Sequence, residues 1–279
     1  MHATSSASPG PDILLREQTG GVLTLTLNRP EQFNALSGEL LGRLQVSLDE
    51  IAGDKSVRVV IIAARGRGFC AGHDLKEIHA LATQDRIEAL FHQCSRVMTT
   101  LVAMPQPVIA KVHATATAAG CQLVAQCDLA VCADSARFAV SGVNFGLFCS
   151  TPSVALARNL GRKQAMEMLL TGEFIDAATA RAYGLVNRVV AATDLDAEVD
   201  RLAALIATKP QGAVAAGKRL FYQQLELGLT PAYALASEVI ACNAAGPEGR
   251  EGMQAFLEKR APKWSNDAAL PLAYSPLRE

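Results

Sequence analysis

The chain has 279 residues, half of them hydrophobic and 19% charged, with a formal net charge of −1. That length and apolar content can bury a sizeable core as one large domain, or as one domain with an extension. The near-zero charge lacks the long-range attraction that nucleic-acid and anionic-membrane binders use, and no apolar run reaches the roughly 18 residues of a membrane-spanning helix. Neither nucleic acid nor membrane is an expected partner.

Residues 1–11, MHATSSASPGP, lack the apolar centre of a signal peptide and the arginines of a transit peptide, and read as a disordered leader. The seven cysteines are odd in number, scattered through apolar segments, and form no C-x-x-C pair or zinc spacing. They read as buried thiols of a reducing compartment, and the expected location is cytoplasmic.

Ile13–Gln18 and Val22–Asn28 are β-rich runs around Gly20-Gly21, the pattern of a hairpin. Ser37 is a plausible N-cap for a helix whose Leu40, Leu41, Leu44, Leu48 and Ile51 follow helical spacing. Val57–Ala64 is a continuous apolar run, as a strand buried on both faces shows, so this strand-helix-strand order predicts a βαβ unit with a parallel sheet. Glycines at 66, 68 and 72 then allow tight turns, and a helical pattern begins at 72. A longer helix is expected over Thr83–Met104, ended by Pro105 and Pro107.

From Pro107 to His113 a β-branched run meets the very small residues Ala114–Gly120, followed by a helical pattern over Cys121–Cys127 and a strand over Asp128–Ala133. Such a junction aims unpaired N–H groups beyond a helix N-terminus, where the helix dipole favours negative charge; it has the form of an oxyanion hole. Close packing of a helix on a sheet is the simpler use of the same small residues. Phe138–Phe148 reads as an irregular segment able to pass close to a ligand. Helices are expected over Ser153–Leu160 and Arg162–Leu170, then one capped by Asp176 and ended by Gly184, then a strand over Leu185–Val190. Beyond Asp194 the pattern is helical throughout: Asp194–Thr208, Gln211–Leu227, Pro231–Asn243 and Pro247–Arg260. The natural division is an α/β core over residues 12–200 and a helical region over 201–279. Neither the P-loop nor the dinucleotide-binding glycine motif occurs.

Six segments together carry a family resemblance: LNRPEQFNAL (27–36), GFCAGHDLKEI (68–78), PVIAKVHATATAAGCQLVAQCDLAV (107–131), the stretch around Phe138–Gly146, TGEFIDAATARAYGLVNRVV (171–190) and EGMQAFLEKRAPKW (251–264). The chain resembles the crotonase, or enoyl-CoA hydratase/isomerase, superfamily over residues 12–264. That resemblance implies an α/β spiral of ββα repeats. It also implies a helical C-terminal region that builds a homotrimer or a dimer of trimers, and an activity on acyl-CoA thioesters in fatty-acid metabolism. Coenzyme A enters as part of the substrate, and no separate cofactor or metal is expected.

Carried over by position, the two oxyanion-hole donors are the amides of His73 and Ala119. Ala71, Gly72, Asp74, Leu75, Gly120, Gly142 and Phe148 surround the substrate. Lys76, Lys259 and Arg260 are basic groups that either approach the coenzyme phosphates or are solvated charge. The family's hydratases use two glutamates, and here those positions hold Gln122 and Gly142. Glutamine exchanges no proton near neutral pH and glycine has no side chain, which puts hydration in doubt. A lyase or isomerase of the family, with Gln122 positioning water or substrate, is one reading; a non-catalytic acyl-CoA-binding protein is the other.

Among side chains, His73 has the chemistry for proton transfer or merely contacts the ligand. Cys149, in apolar surroundings, reads better as an inert buried thiol than as a nucleophile. Asp74 is as plausible an N-cap as a catalytic acid, and His113 is expected to make a structural hydrogen bond to the neighbouring loop.

Overall fold

Strand pairs followed by helices repeat along the first half of the chain in a computed structural model that describes residues 12–264. The expected leader and the last fifteen residues of the expected C-terminal region lie outside the described residues. The first repeat is β1 (Leu14–Thr19), β2 (Val22–Leu27) and α1 (Gly38–Gly53). The second is β3 (Val59–Ala64), β4 (Gly68–Cys70), α2 (Leu75–Ala80) and α3 (Gln84–Ala103). Then come β5 (Val108–Val112), β6 (Thr115–Thr117) and α4 (Ala119–Gln126), and β7 (Leu129–Ala133), β8 (Arg137–Ala139) and α5 (Ser150–Asn159). The remaining elements are α6 (Arg162–Thr171), β9 (Ile175–Asp176), α7 (Ala177–Tyr183), β10 (Arg188–Val190), α8 (Leu195–Ala207), α9 (Gln211–Leu225), α10 (Leu229–Ala245) and α11 (Pro247–Leu257).

The repeats wind two sheets at once. In the second to fourth repeats the first strand joins a six-stranded sheet of order β1-β2-β3-β5-β7-β10, and the second joins a four-stranded sheet of order β4-β6-β8-β9. Among the described residues only the β1–β2 hairpin and the β8–β9 pair are antiparallel. The βαβ unit expected from β2, α1 and β3 is present, and Ser37 caps α1 by accepting from Leu40 N at 3.2 Å.

Alternation along β3 shows why its sequence is apolar throughout. Val60 and Ile62 face a core shared with α1, α3 and α4, whereas Val59, Ile61 and Ala63 meet Leu195, Val199, Leu202 and Ala203 of α8 on the opposite face. The boundary expected at residue 200 therefore falls inside α8, a helix that covers the large sheet.

Three local expectations change. The helix expected from position 72 starts at Leu75, because Asp74 is its cap and accepts from Lys76 N at 3.1 Å. The helix expected from Cys121 already begins at Ala119, and the small-residue cluster before it contains β6. The segment expected to be irregular from Phe138 holds most of β8 and a 3₁₀ turn over Ser141–Phe145.

The C-terminal helices dock on the core through buried polar groups. Lys218 of α9 donates to Leu101 O (2.7 Å), Gln106 O (2.9 Å) and Asp128 Oδ2 (2.7 Å), and Tyr222 donates to Asp128 Oδ1 at 2.9 Å. Burial depresses the Lys218 pKa, with the Asp128 charge acting against it. Glu248 of α11 accepts from Gly212 N (3.2 Å) and Ala213 N (3.0 Å), satisfying donors in the first turn of α9.

Candidate functional site

β4, β6 and β8 are parallel neighbours, so the segments that leave them emerge along one edge of the smaller sheet. Residues 71–74 follow β4, residues 118–122 follow β6, and residues 140–149 follow β8. Carboxyl ends of parallel strands are where α/β folds bind ligands. This topology gathers Ala71, Gly72, His73, Asp74, Leu75, Ala119, Gly120, Gln122, Gly142 and Phe148. Lys259 follows α11, and its side chain makes no hydrogen bond or ion pair among the described residues.

The two amides expected as donors share a backbone device. His73 follows Gly72, at φ +88°, and Ala119 follows Ala118, at φ +49°. In each case a left-handed residue turns the chain at the strand end, and the next N–H has no hydrogen-bond partner among the described residues. The neighbouring groups are paired: Gly72 O accepts from Leu36 N (2.7 Å), Asp74 N donates to Leu36 O (3.3 Å), and Ala118 N donates to Ala139 O (2.9 Å). The two turns touch. A Cβ added to Gly72 would lie 2.8 Å from Ala118 Cβ and 3.0 Å from Ala119 N. Ala118 tolerates its φ at a cost of order 1–3 kcal/mol, the kind of strain found at functional sites.

Gly120 is required by close approach, since an added Cβ would fall 2.2 Å from Cys70 O. Ala71 O accepts from Thr117 Oγ1 at 3.0 Å, a further tie between the turns. Leu75 and Phe148 are both about half exposed, at 52% and 47%, and present apolar surface along this edge.

The His73 ring stands edge-on to Phe91 of α3, with centroids 4.7 Å apart. Burial depresses its pKa from 6.5 to about 4, so the imidazole is neutral at pH 7. Gln122, only 4% exposed, lies three residues along α4 from Ala119 and so on the same helix face. His73 Nε2 and Gln122 Oε1 are buried without a partner among the described residues.

Gly142 does not leave an empty socket. Its N–H donates to Cys149 Sγ at 3.2 Å, and an added Cβ would meet Leu147 O at 2.4 Å and Cys149 Sγ at 2.7 Å. Burial raises the Cys149 pKa, only partly offset by that N–H. Cys149 is thus a packed thiol.

Asp74 binds Arg29 Nη2 at 3.1 Å in addition to capping α2. Burial raises its pKa, but the Arg29 hydrogen bond and charge and the Glu77 and Lys76 N–H groups together bring it below the ordinary aspartate value. Arg29 also donates to Ala35 O, and buried Asn34 donates to Arg65 O (2.8 Å) and Gly68 O (2.9 Å). Arg29 thus ties the turn that carries His73 to the chain before α1, and Asn34 fixes the loop that enters β4. Their role was not read from the sequence, although both lie in the LNRPEQFNAL segment; Phe91 had no sequence signal of its own. His113 Nε2 lies 2.9 Å from Gly66 O, the structural bond expected of it.

The sequence profile of the family described as "Enoyl-CoA hydratase/isomerase" matches residues 17–267. The chain belongs to the enoyl-CoA hydratase/isomerase, or crotonase, family. It is 47% identical over 250 residues to enoyl-CoA hydratase domain-containing protein 3, mitochondrial, of Xenopus laevis, covering 90% of this chain and 85% of that one. The crystal structure of the human protein of that name superposes with a TM-score of 0.88 at 45% identity, over 91% of this chain and 100% of that chain. The structure titled enoyl-CoA hydratase of Mycobacterium smegmatis gives a TM-score of 0.90 at 55% identity, over 91% and 99% of the two chains. Within the crotonase family the chain falls in the branch of domain-containing protein 3.

One expectation is overturned here. The relatives from Xenopus laevis, Rattus norvegicus, Mus musculus, Homo sapiens and Danio rerio, at 42–47% identity, are all named mitochondrial, so the cytoplasmic assignment does not stand. Buried free thiols disfavour an oxidising compartment but do not distinguish one reducing compartment from another.

Proposed function

We propose that this crotonase-family chain binds acyl-CoA thioesters and polarises the thioester carbonyl through the N–H groups of His73 and Ala119. The observation that carries this reading is the pair of unpartnered amides on touching turns, each following a residue with positive φ. Preorganised donors of this kind are worth roughly 3 kcal/mol of barrier each. Ala71, Gly72, Asp74, Leu75, Gly120, Gly142 and Phe148 form the surrounding substrate surface. Lys259 reaches the coenzyme phosphates only if bound coenzyme extends to the C-terminal helices.

Enoyl hydration is not the reaction favoured by these residues. Gln122 exchanges no proton, and the Leu147 carbonyl and Cys149 thiol fill the space a side chain at 142 would enter. What remains to the two amides is stabilisation of an enolate, which an isomerase of the family would need together with a base for the proton, or of a tetrahedral oxyanion. A second reading, a binding protein without turnover, is favoured by one observation: burial makes His73 a weak base at neutral pH. Calorimetry and turnover with saturated, enoyl and branched acyl-CoAs test both. Binding with little or no hydration of crotonyl-CoA is expected, hydration at the rate of an efficient enzyme contradicts the account, and a selective product without hydration favours the isomerase.

Self-association into a homotrimer or dimer of trimers is part of the proposal. On α10 only Ala232 is buried, while Leu229, Tyr233 and Ile240 are exposed, as are Phe221 and Leu225 of α9, the helix it packs on. Light scattering is expected to give a multiple of three; a monomer at micromolar concentration would contradict it.

A further inference from the structure

Hydrogen bonds behind the His73 amide run back to a cation. A peptide unit is planar and trans, so its C=O and N–H point in opposite directions, and a bond accepted by the carbonyl lies nearly in line with the one its N–H donates. Gly72 O and His73 N–H belong to one unit, and Gly72 O accepts from Leu36 N at 2.7 Å. Leu36 N–H and Ala35 O belong to the next, and Ala35 O accepts from Arg29 Nη1. Leu36 and His73 form a parallel bridge, in which Leu36 bonds the residues on either side of His73 and leaves the His73 N–H on the far side. Arg29 is itself held in place: its N donates to Asn34 Oδ1 (2.9 Å), its O accepts from Asn34 N (2.9 Å), and its Nη2 pairs with Asp74 at 3.1 Å. Both members of that ion pair are largely buried, at 17% side-chain exposure.

We propose that Arg29 is a positioning residue of the oxyanion hole: through the peptides 35–36 and 72–73 its guanidinium aims the His73 N–H and polarises it as a donor. This rests on the thioester reading above and names the group that tunes one of its two donors. Hydrogen bonds in a chain strengthen one another, by about 10–30% per bond, and a charged donor at the head gives the strongest start. Arg29 also neutralises the carboxylate of Asp74, the residue next to His73, which would otherwise oppose negative charge on a bound carbonyl oxygen. The second donor is served differently. Ala118 O, in the peptide that carries the Ala119 N–H, accepts from Gln122 N at 3.0 Å, so α4 itself supplies the polarising chain there. The helix after His73, α2, begins only at Leu75, and at His73 the cation takes that part.

The test is infrared difference spectroscopy of butyryl-CoA, labelled with carbon-13 at the thioester carbonyl and bound to the full chain and its variants. Arg29→Met is expected to lose about a quarter or more of the wild-type downshift of the bound carbonyl band. Asp74→Asn breaks the same ion pair but leaves the guanidinium on Ala35 O with its charge uncompensated, so its downshift is expected to exceed that of the wild type. Arg29→Lys, which keeps the charge and a donor, is expected to fall between Arg29→Met and the wild type. A merely structural ion pair would move Arg29→Met and Asp74→Asn in the same direction. The proposal is overturned if they do so, or if Arg29→Met shifts the band as far as the wild type; should Arg29→Met not fold, Arg29→Lys against Asp74→Asn gives the same opposition of sign. A wild-type band that does not move at an occupied site overturns the thioester reading itself, an outcome distinct from a wild-type shift that all the variants share.

Discussion

Two groups of buried polar side chains in this molecule stand in contrast. Where α9 meets the core, every charge is answered: Lys218 has three acceptors, and Asp128 accepts from Lys218, Tyr222 and Val108 N. At the edge shared by β4 and β6, two backbone N–H groups, an imidazole nitrogen and an amide oxygen have no partner among the described residues. The first cluster is finished by folding, and the second is left open. Complete pairing marks a joint, whereas missing pairing at a strained turn is what the proposed thioester site requires.

Breaking the joint gives the largest expected effect. Lys218→Met leaves the Asp128 carboxylate buried without its cation, and urea unfolding is expected to show a loss of about 3–5 kcal/mol with acyl-CoA affinity unchanged in the folded fraction. Equal losses in affinity and stability would mean that the two clusters are not separate. Gly72→Ala acts on the open cluster: its Cβ meets Ala118 and Ala119 N in a left-handed conformation, so a stability loss of about 1–3 kcal/mol is expected. Thioester affinity should fall beyond what stability explains, because the two amides are pushed apart; an unchanged dissociation constant would contradict the geometry.

The open cluster also predicts a pH signature. The folded-state pKa of His73 lies near 4 against 6.5 for a free imidazole, so between these values the unfolded chain binds the extra proton. Stability is therefore expected to fall as pH drops from about 6.5 to about 4, and His73→Phe should flatten that part of the curve. An unaltered slope would show that His73 is not buried neutral. The smallest effect is expected from Ala118→Gly, which relieves a positive φ and should change stability by about 1 kcal/mol or less, toward greater stability, in the same urea assay. A marked loss would mean that the alanine methyl packs usefully there.

Local chemistry was legible in the sequence. Ser37 and Asp176 as caps, Gly184 as a helix stop and the two-faced apolar run of β3 all follow from neighbouring residues, and the structure shows each of them. The second sheet was not legible, because β4, β6 and β8 have three residues each, too short for a period of two to register. That sheet nonetheless sets the site, since it brings the three turns to one edge. The Lys218–Asp128 pair, 90 residues apart, and the filling of the Gly142 position by Cys149 depend on tertiary contacts that no local pattern encodes.

The central claim, that the His73 and Ala119 amides polarise a bound thioester carbonyl, is tested most directly by infrared difference spectroscopy of an acyl-CoA labelled with carbon-13 at that carbonyl. The carbonyl stretch is expected to move to lower frequency on binding, with the shift lost in Gly72→Ala. An unshifted band at a site that calorimetry shows to be occupied would contradict the account.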